Sequence, residues 1–314
     1  MLHRAILDRM PELTKERIES LGIENAKRNR EIPGRSIREL AVKDRVVVVA
    51  AGPSIKYANP IPKLVNFDGT IIATDSAMRY CLEKGRIPDI IVSVDPHDRI
   101  LRWLGDPLLT VEDLKADDYF SRQDMDSAFE QEIATNKQII ELIKLAKMKL
   151  ALGTSASPKV VKRAIEAGFE IYWWNPMYDG NEIDSQLMEM NGYPSMNAGG
   201  NVGSSCWMLA QVLGAKDVAL TGMDFSYYEH TPYKNTQYYQ EAIDLVGKDG
   251  LDAIYEWIWN PYVNKLFYTD PAYLWYRNCF LEMVKDATCK TTNCTEGGIL
   301  FGEKLEFKPL MDWL

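Results

Sequence analysis

The chain lacks the long apolar segments of membrane and secreted proteins. None of its apolar runs approaches the roughly 18 residues that a transmembrane helix needs, so we expect no membrane span. Residues 1–25 are charged and patterned as a helix, without the apolar run of a signal peptide. These two absences predict a cytoplasmic protein.

Cysteine is scarce and shows no metal-binding or disulfide pattern. The chain has five cysteines, none of them in a Cys-x-x-Cys pair: Cys81, Cys206, Cys279, Cys289 and Cys294. The two that are closest in sequence, Cys289 and Cys294, form no Cys-x-x-Cys pair, and we do not expect them to hold zinc. An odd, scattered set fits reduced thiols, most of which we expect in the core. The sequence therefore predicts neither a zinc cluster nor a disulfide framework.

An excess of positive charge is also missing. The chain has 45 acidic and 36 basic residues, which gives a formal net charge of −9. Proteins that bind nucleic acid concentrate cations on one face, so this balance argues against such a partner. A small anionic ligand is still compatible, because helix N-termini attract anions without lysine or arginine. The apolar fraction of 46% is that of an ordinary folded protein.

From Arg45 onwards, short apolar runs alternate with segments of helical length. Val46–Ala51, Gly69–Thr74 and Ile90–Val94 have the β-branched composition of buried strands, and Ser76–Lys84 is patterned as a helix. This alternation predicts an α/β fold, namely a Rossmann-like, mostly parallel sheet with helices on both faces. Further short strands are predicted at residues 149–152, 170–174, 217–220 and 298–301.

The patterning divides the chain into three parts. Residues 1–44 are expected to form an N-terminal helical extension with a break near Pro11. Residues 45–235 are expected to form the Rossmann-like core, with a charged helical insertion at about 106–149. Residues 236–314, rich in tyrosine and tryptophan, are expected to form a C-terminal helical segment that packs on the core.

The first candidate site is the turn Gly52-Pro53-Ser54, which follows the first predicted strand. Gly52 permits a positive φ or a close approach of the backbone, and Pro53 suits the first position of a helix. Ser54 adds a hydroxyl where free N–H groups and the helix dipole favour an anion. The turn is therefore either a phosphate-binding turn or a plain helix N-cap.

Carboxylates follow the next two predicted strands. Asp75 is placed to accept hydrogen bonds from a ribose, or to cap the helix after it. Ser93, Asp95 and His97 cluster at the end of the next strand, where Asp95 is placed to hold a magnesium ion or a sugar hydroxyl. His97 is either a catalytic group or an exposed loop histidine.

A glycine-rich turn opens an otherwise apolar helix in the second half of the core. It contains Gly199, Gly200, Asn201, Gly203, Ser204 and Ser205. Its backbone and hydroxyl donors converge as in an anion site. Alternatively, the glycines only let the helix approach the sheet closely.

Asp224 ends the last predicted strand of the core and precedes an aromatic loop. The loop contains Tyr227, Tyr228, His230 and Tyr233. Aromatic rings beside a histidine can stack a flat ligand and transfer a proton, or they can simply pack as a structured loop. Together, the two anion turns, the carboxylates and this loop predict a small nucleotide-type ligand.

Several ordered motifs resemble the motility accessory factor (Maf) and MptE-like family. They are VVVVAAGPSI, TIIATDSAMRYCLEKGRIPDIIVSVDP, GGNVGSSCWMLAQVLGAKDVALTGMDFSYYEHTPY and NCTEGGILFG. The Gly-Pro-Ser turn and LTGMDF are also similar to bacterial CMP-sialic acid glycosyltransferases. The resemblance implies a nucleotide donor bound at the carboxyl ends of a Rossmann-like sheet, with a glycan, a protein or a pterin as acceptor.

Two chemistries occur in this family. One is transfer of a nonulosonic, sialic-acid-like sugar from CMP. For it, the resemblance implies that Gly52–Ser54 and Gly200–Ser204 bind the donor's phosphate and carboxylate. His230 or a nearby tyrosine would then take the acceptor's proton. The other residues assigned to this site are Asp95 and Asp224 as catalytic groups and Asp75, Ser93, Asn201, Gly203 and Tyr227 as ligand-binding groups.

The second chemistry is that of a 6-hydroxymethylpterin diphosphokinase. It implies ATP as the donor, with Asp75 and Asp95 holding magnesium. The segment Ser93-Val-Asp-Pro96 differs from the Asp-Leu-Asp-Gly signature of the pterin enzymes, which favours the glycosyltransferase. A non-catalytic nucleotide-binding module is the third alternative.

Overall fold

The computed structural model describes residues 2–116, 129–178 and 181–314. Its strands are β1 Arg35–Ser36, β2 Arg45–Val49, β3 Thr70–Thr74, β4 Ile90–Ser93, β5 Lys149–Gly153, β6 Glu170–Pro176, β7 Ser195–Met196, β8 Asp217–Thr221, β9 Tyr227–Tyr228, β10 Glu256–Asn260, β11 Lys265–Thr269, β12 Lys290–Asn293 and β13 Leu305–Phe307. Its α-helices are α1 Leu2–Leu7, α2 Met10–Asn29, α3 Ile55–Ala58, α4 Pro60–Lys63, α5 Asp75–Glu83, α6 Val111–Ala116, α7 Phe129–Ala146, α8 Pro158–Ala167, α9 Asn181–Asn191, α10 Val202–Val212, α11 Tyr239–Val246, α12 Pro271–Lys285 and α13 Leu310–Trp313.

In the described part of the chain, ten strands form one main sheet. Its order is β1-β6-β5-β4-β3-β2-β8-β12-β13, and β7 pairs with β6. Every pairing in this sheet is parallel. The central strands are β-branched and buried on both faces, as parallel strands covered by helices must be. The predicted Rossmann-like α/β fold is confirmed.

Each face of the sheet carries its own hydrophobic core. Val47 and Val49 point to one face, where the sheet packs on α5, α7 and α8. Val46 and Val48 point to the other face, where it packs on α10 and α12. This alternation follows from the two-residue period of a strand. It explains why the run Val46–Val49 contains no polar residue.

The strand order reverses between β2 and β8. From β2, the chain adds β3, β4, β5 and β6 in succession on one side, and later places β8 on the other side of β2. In an open α/β sheet, such a reversal leaves a crevice outside the carboxyl ends of the two strands, where ligands bind. The Gly52-Pro53-Ser54 turn follows β2, and Asp224 follows β8. The topology thus brings these two segments to the same crevice.

Residues 236–314 contain four strands as well as the helices that the sequence predicted. β10 and β11 form a hairpin that pairs with β9 in a separate antiparallel sheet, while β12 and β13 extend the main sheet beyond β8. The strand predicted at 298–301 was wrong, because Ile299 and Leu300 are buried in a loop. β12 had no apolar signal, since it reads Lys-Thr-Thr-Asn.

The N-terminal helices pack across the carboxyl edge of the sheet. The side-chain amide of Asn25 in α2 donates to the carbonyls of Pro96 and Ser155, at 3.0 and 2.9 Å. The amide of Asn29 donates to two further carbonyls of the loop after β5, at 2.9 and 2.7 Å. These bonds attach the end of α2 to the loops after β4 and β5. The break predicted near Pro11 lies at Asp8–Arg9, and Pro11 is in the first turn of α2.

Part of the predicted insertion at about 106–149 lies outside the described residues. The described part contains α6 and α7, which pack against each other, and α7 also packs against α5 and α8. The division of the chain into domains stays a prediction. Among the described helices, none has the length and apolarity that crossing a membrane requires.

Candidate functional site at the carboxyl edge of the sheet

A cleft of about 1560 Å³ lies at the carboxyl edge of the main sheet. The loops after β2, β3, β4 and β8 line it, together with the first turn of α10. Helices α2 and α12 close its sides. Nearly all candidate residues predicted from the sequence therefore lie in or beside one cavity, because parallel strands end at the same edge.

The turn Gly52-Pro53-Ser54 already binds an acidic group, the side-chain carboxyl of Asp224. Ser54 donates its N–H to Asp224 Oδ1 at 3.1 Å and its hydroxyl to Oδ2 at 2.7 Å. The N–H of Gly52 donates to the carbonyl of Gly222 at 2.9 Å. A Cβ on Gly52 would lie 2.1 Å from Asp224 Oδ2, so the close approach explains the glycine. The turn joins the ends of β2 and β8.

Asp224 is buried and lies beside a strained backbone position. Burial raises the pKa of its carboxyl to about 7, although the hydrogen bonds from Ser54 favour the ionised form. Phe225, the next residue, has a φ of 52°, which is rare for a bulky side chain. Strain of this kind persists only where the surroundings enforce it. Here the buried bonds of Asp224 fix the chain on one side of Phe225.

Residues 293–298, the NCTEGG part of the motif NCTEGGILFG, pack behind the Ser54–Asp224 pair. The N–H of Ile299 donates to the carbonyl of Asp224 at 2.9 Å. A Cβ on Gly297 would lie 2.7 Å from the hydroxyl of Tyr228 and 3.2 Å from Cβ of Ser54. The motif therefore packs beneath the Ser54–Asp224 pair, and none of its residues lines the cleft.

Asp75 and Ser93 form a second buried pair. The hydroxyl of Ser93 donates to Asp75 Oδ2 at 2.6 Å, and the N–H of Ser76 donates to Oδ1 at the same distance. Burial raises the pKa of Asp75 to about 6. The N-cap of α5 is Thr74, whose hydroxyl accepts from the N–H of Ala77. Asp75 lines the cleft and is not the helix cap, whereas Ser93 lies beneath it.

Asp95 is paired with a histidine. Its Oδ1 accepts from the N–H of His97 at 2.8 Å and lies 2.7 Å from His97 Nδ1, while Oδ2 is 3.9 Å from Arg99 Nε. Burial favours a higher pKa for Asp95, but His97 and Arg99 outweigh it and hold that pKa below its usual range. All three side chains line the cleft.

The described side chains form no preassembled metal site around Asp95, so its role as a magnesium ligand stays a prediction. Within the described ranges, no group of three or more His, Cys, Asp or Glu residues is arranged to hold a metal ion. Asp95 accepts from His97, and both oxygens of Asp75 accept protein hydrogen bonds.

The glycine-rich turn forms the N-terminus of α10. Asn201 is the N-cap, and its Oδ1 accepts from the N–H of Ser204 at 2.9 Å. Its Nδ2 donates to the hydroxyl of Ser204, which is buried. Gly203 packs against Met223 and Ala50 at the ends of β8 and β2. The N–H groups of Val202 and Gly203 have no acceptor within the helix and belong to residues that line the cleft.

An aromatic wall with a buried carboxyl forms the other side of the cleft. Tyr227 donates its hydroxyl to Asp270 Oδ2 at 3.0 Å and stacks on Tyr273. Asp270 is the N-cap of α12, and burial raises its pKa to about 6. Tyr238 and Tyr276 join the wall through a 3.0 Å bond between their hydroxyls. The sequence analysis missed Asp270, although Asp followed by Pro is a helix-start signal, with Asp as the N-cap and Pro at the first helical position.

His230 lies outside the lining of the cleft. It is exposed, and its Nε2 is 2.8 Å from the hydroxyl of Tyr57. Tyr57 does line the cleft, so His230 touches the rim through that tyrosine. Its role as a base stays a prediction. Pro53, Gly200, Asn201 and Tyr227 line the cleft directly.

The fold and site define a Rossmann-like α/β protein with a ligand-sized cleft at the topological switch point. A family model described as 6-hydroxymethylpterin diphosphokinase MptE-like matches residues 22–104. That segment includes the Gly52–Ser54 turn, Asp75 and Asp95. A search of curated proteins found no match.

Among solved structures, the chain is similar to the MAf glycosyltransferase from Magnetospirillum magneticum AMB-1. The TM-score is 0.59 at 15% sequence identity, and the match covers 94% of this chain. It covers 39% of that protein, so the chain spans well under half of the neighbour's length. At this identity, the likeness shows the fold. Over residues 22–104, the family-model match confirms the resemblance to the MptE-like family that the motifs indicated.

Proposed function

We propose that the chain is a nucleotide-dependent transferase whose donor is a CMP-activated nonulosonic, sialic-acid-like sugar. The observation that carries this proposal is the first turn of α10, which faces the cleft at the switch point between β2 and β8. The N–H groups of Val202 and Gly203 lack helical acceptors, and the helix dipole adds positive potential there. A phosphate fits such a position.

The hydrogen bonds of Ser54 change the roles expected for the two anion-binding turns. Asp224 occupies the donors of Ser54, so the Gly52–Ser54 turn has neither of them left for a phosphate. We therefore assign the donor phosphate to the turn at Gly200–Gly203. Lys56 and Arg99 line the same cleft and supply positive charge for a second anionic group, such as the sugar carboxylate.

The acceptor is assigned to the aromatic wall. Tyr227, Tyr238, Tyr273 and Tyr276 place ring faces and hydroxyls on the side of the cleft formed by α12. Flat apolar rings beside polar tips suit a sugar or another ring-bearing molecule. The protein or glycan that carries the acceptor hydroxyl is not assigned.

The alternative function is that of a pterin diphosphokinase with ATP as donor. The family-model match favours it, because the matched residues 22–104 carry the Gly52–Ser54 turn and both carboxylates that this function names. The departure of Ser93-Val-Asp-Pro96 from the signature of the pterin enzymes weighs against it. The neighbour with the Maf glycosyltransferase fold, which matches over most of the chain, favours the first function.

Thermal shift with a nucleotide panel separates these functions. The purified protein is melted with CMP, CDP, CTP, AMP or ATP, each with and without magnesium. A ligand that binds only the folded state raises the melting temperature. Stabilisation by CMP without metal supports the glycosyltransferase, and a magnesium-dependent preference for ATP supports the diphosphokinase. CMP binding without any turnover of a CMP-sugar indicates a non-catalytic module.

A matched pair of lysine variants tests whether the nucleotide binds in this cleft. Lys56→Ala removes a cation from the cleft and is expected to reduce the CMP-induced shift, because a charge contact to the donor is lost. Lys162→Ala removes an exposed lysine of α8 that does not line the cleft, and it should leave the shift unchanged. Equal effects of the two variants would contradict the assignment.

A further inference from the structure

We infer that His97, oriented by Asp95, is the group that takes the proton from the acceptor hydroxyl. This inference rests on the proposed transferase function and goes beyond it by assigning the base. The sequence analysis gave that role to His230. The geometry of the cleft points to His97 instead.

Position distinguishes the three histidines, all of which lie in the described part of the chain. His97 lines the cleft. His230 is exposed, does not line it and is engaged with the hydroxyl of Tyr57 at 2.8 Å. His3 is buried against the carbonyl of Ile254 and does not line the cleft. A base must reach the proton that it removes, and His97 is the histidine placed to do so.

The contact with Asp95 defines which nitrogen of His97 is available. Nδ1 lies 2.7 Å from Asp95 Oδ1, and a carboxylate oxygen at this distance accepts a hydrogen bond from Nδ1–H. The neutral imidazole then carries its lone pair on Nε2. A carboxylate that holds the imidazole in this tautomer and stabilises its protonated form is the arrangement of base and orienting group in hydrolase triads.

The loop that carries the pair is held on several sides. The carbonyl of Val94 accepts from the hydroxyl of Ser155 at 2.9 Å, and that of Pro96 accepts from Asn25 at 3.0 Å. Asp98, the next acidic residue, is held by Lys159 at 2.6 Å, so it does not compete with Asp95 for the imidazole. The pair is thus fixed before any ligand binds, which favours catalysis.

The step that His97 assists is a displacement at the anomeric carbon of the sugar. The acceptor oxygen forms a bond to the anomeric carbon of the sugar while the bond from that carbon to the phosphate oxygen breaks. CMP leaves with the electron pair, and His97 Nε2 takes the acceptor proton, which later passes to solvent. Asp95 acts as a positioning residue, because it reaches the acceptor only through the imidazole.

The test measures CMP release from CMP-N-acetylneuraminic acid, with water as the acceptor, and CMP binding by thermal shift. His97→Gln keeps a polar side chain beside Asp95 but cannot take the proton. We expect its kcat to fall by about 100-fold or more, as for loss of a general base, with the CMP-induced shift retained. Asp95→Asn should lower kcat by a smaller factor with little change in KM, because the imidazole remains but loses its orientation.

Lys162→Ala, which removes an exposed lysine of α8 that does not line the cleft, is the control and should turn over as the wild type does. Free imidazole should partly restore turnover in His97→Gly, a readout that a merely structural role would not give. Turnover of His97→Gln within about threefold of the wild type would overturn this inference alone. A wild-type protein that neither binds CMP nor releases it from the donor would overturn the proposed function together with this inference.

Discussion

Replacing Ser54 by alanine tests the buried pair at the reversal of the sheet. The hydroxyl of Ser54 donates to Asp224 Oδ2 at 2.7 Å, and both side chains are almost fully buried. A hydrogen bond to a charged group contributes about 1.5–3 kcal/mol, so we expect Ser54→Ala to lower the free energy of unfolding by about 2 kcal/mol when Asp224 is ionised.

The size of this loss should depend on pH. Burial raises the pKa of Asp224 from its ordinary value of 3.8 to about 7. The stability contributed by the neutral carboxyl is therefore fully present below the ordinary value and is lost as the pH rises through about 7. The Ser54 hydroxyl limits that loss because it favours the ionised form. Ser54→Ala should thus cost more stability at about pH 8.5 than at about pH 5.5.

Urea unfolding at these two pH values measures the effect. The double variant Ser54→Ala with Asp224→Asn closes a thermodynamic cycle, whose coupling energy should be about 1 kcal/mol or more at the higher pH. A deficit that is the same at both pH values would refute this account of the pair. So would additive effects of the two substitutions.

Two further predictions concern the turn after β8 and the attachment of α2. Gly222→Ala should destabilise the protein by clearly more than the roughly 1–2 kcal/mol of a positive φ, because its Cβ would lie 2.1 Å from the carbonyl oxygen of Ala50. Gly168→Ala, also at positive φ but with open space, is its matched control, and equal melting temperatures for the two variants would contradict the prediction. Asn29→Ala should cost about 1–3 kcal/mol, because two buried carbonyls lose their donor, and it should speed hydrogen exchange in α2. The exposed Arg28→Ala should do neither, and unchanged exchange in Asn29→Ala would argue against the attachment.

The central strands could be predicted because strands that are buried on both faces have an uninterrupted apolar composition. Val46–Val49 and Ile90–Val92 are apolar without interruption, and this pattern indicates a parallel strand covered on both faces. Lys290–Asn293 gave no such signal. It becomes a buried strand because β8 and β13 flank it and the indole of Trp207 donates to the hydroxyl of Thr291 at 3.0 Å. Those partners are distant in sequence.

The position of the candidate site could be predicted from the sequence, but the contacts between its side chains could not. Polar residues at strand ends were expected at one edge, and the cleft contains most of them. Ser54 and Asp224 are separated by 170 residues, so their bond could not be read from either motif. Similarly, the sequence shows that Asp95 precedes His97 by two positions, but not that the carboxylate and imidazole meet. Only the loop conformation decides that contact.

The melting temperature with CMP in the absence of metal tests the central claim most directly. The account predicts that CMP at about 100 times its dissociation constant stabilises the folded state by about 2.7 kcal/mol. For a chain of 314 residues, this corresponds to a rise of roughly 5 °C. The Lys56→Ala variant should show a smaller rise. No shift with CMP, together with a shift by ATP that requires magnesium, would contradict the claim.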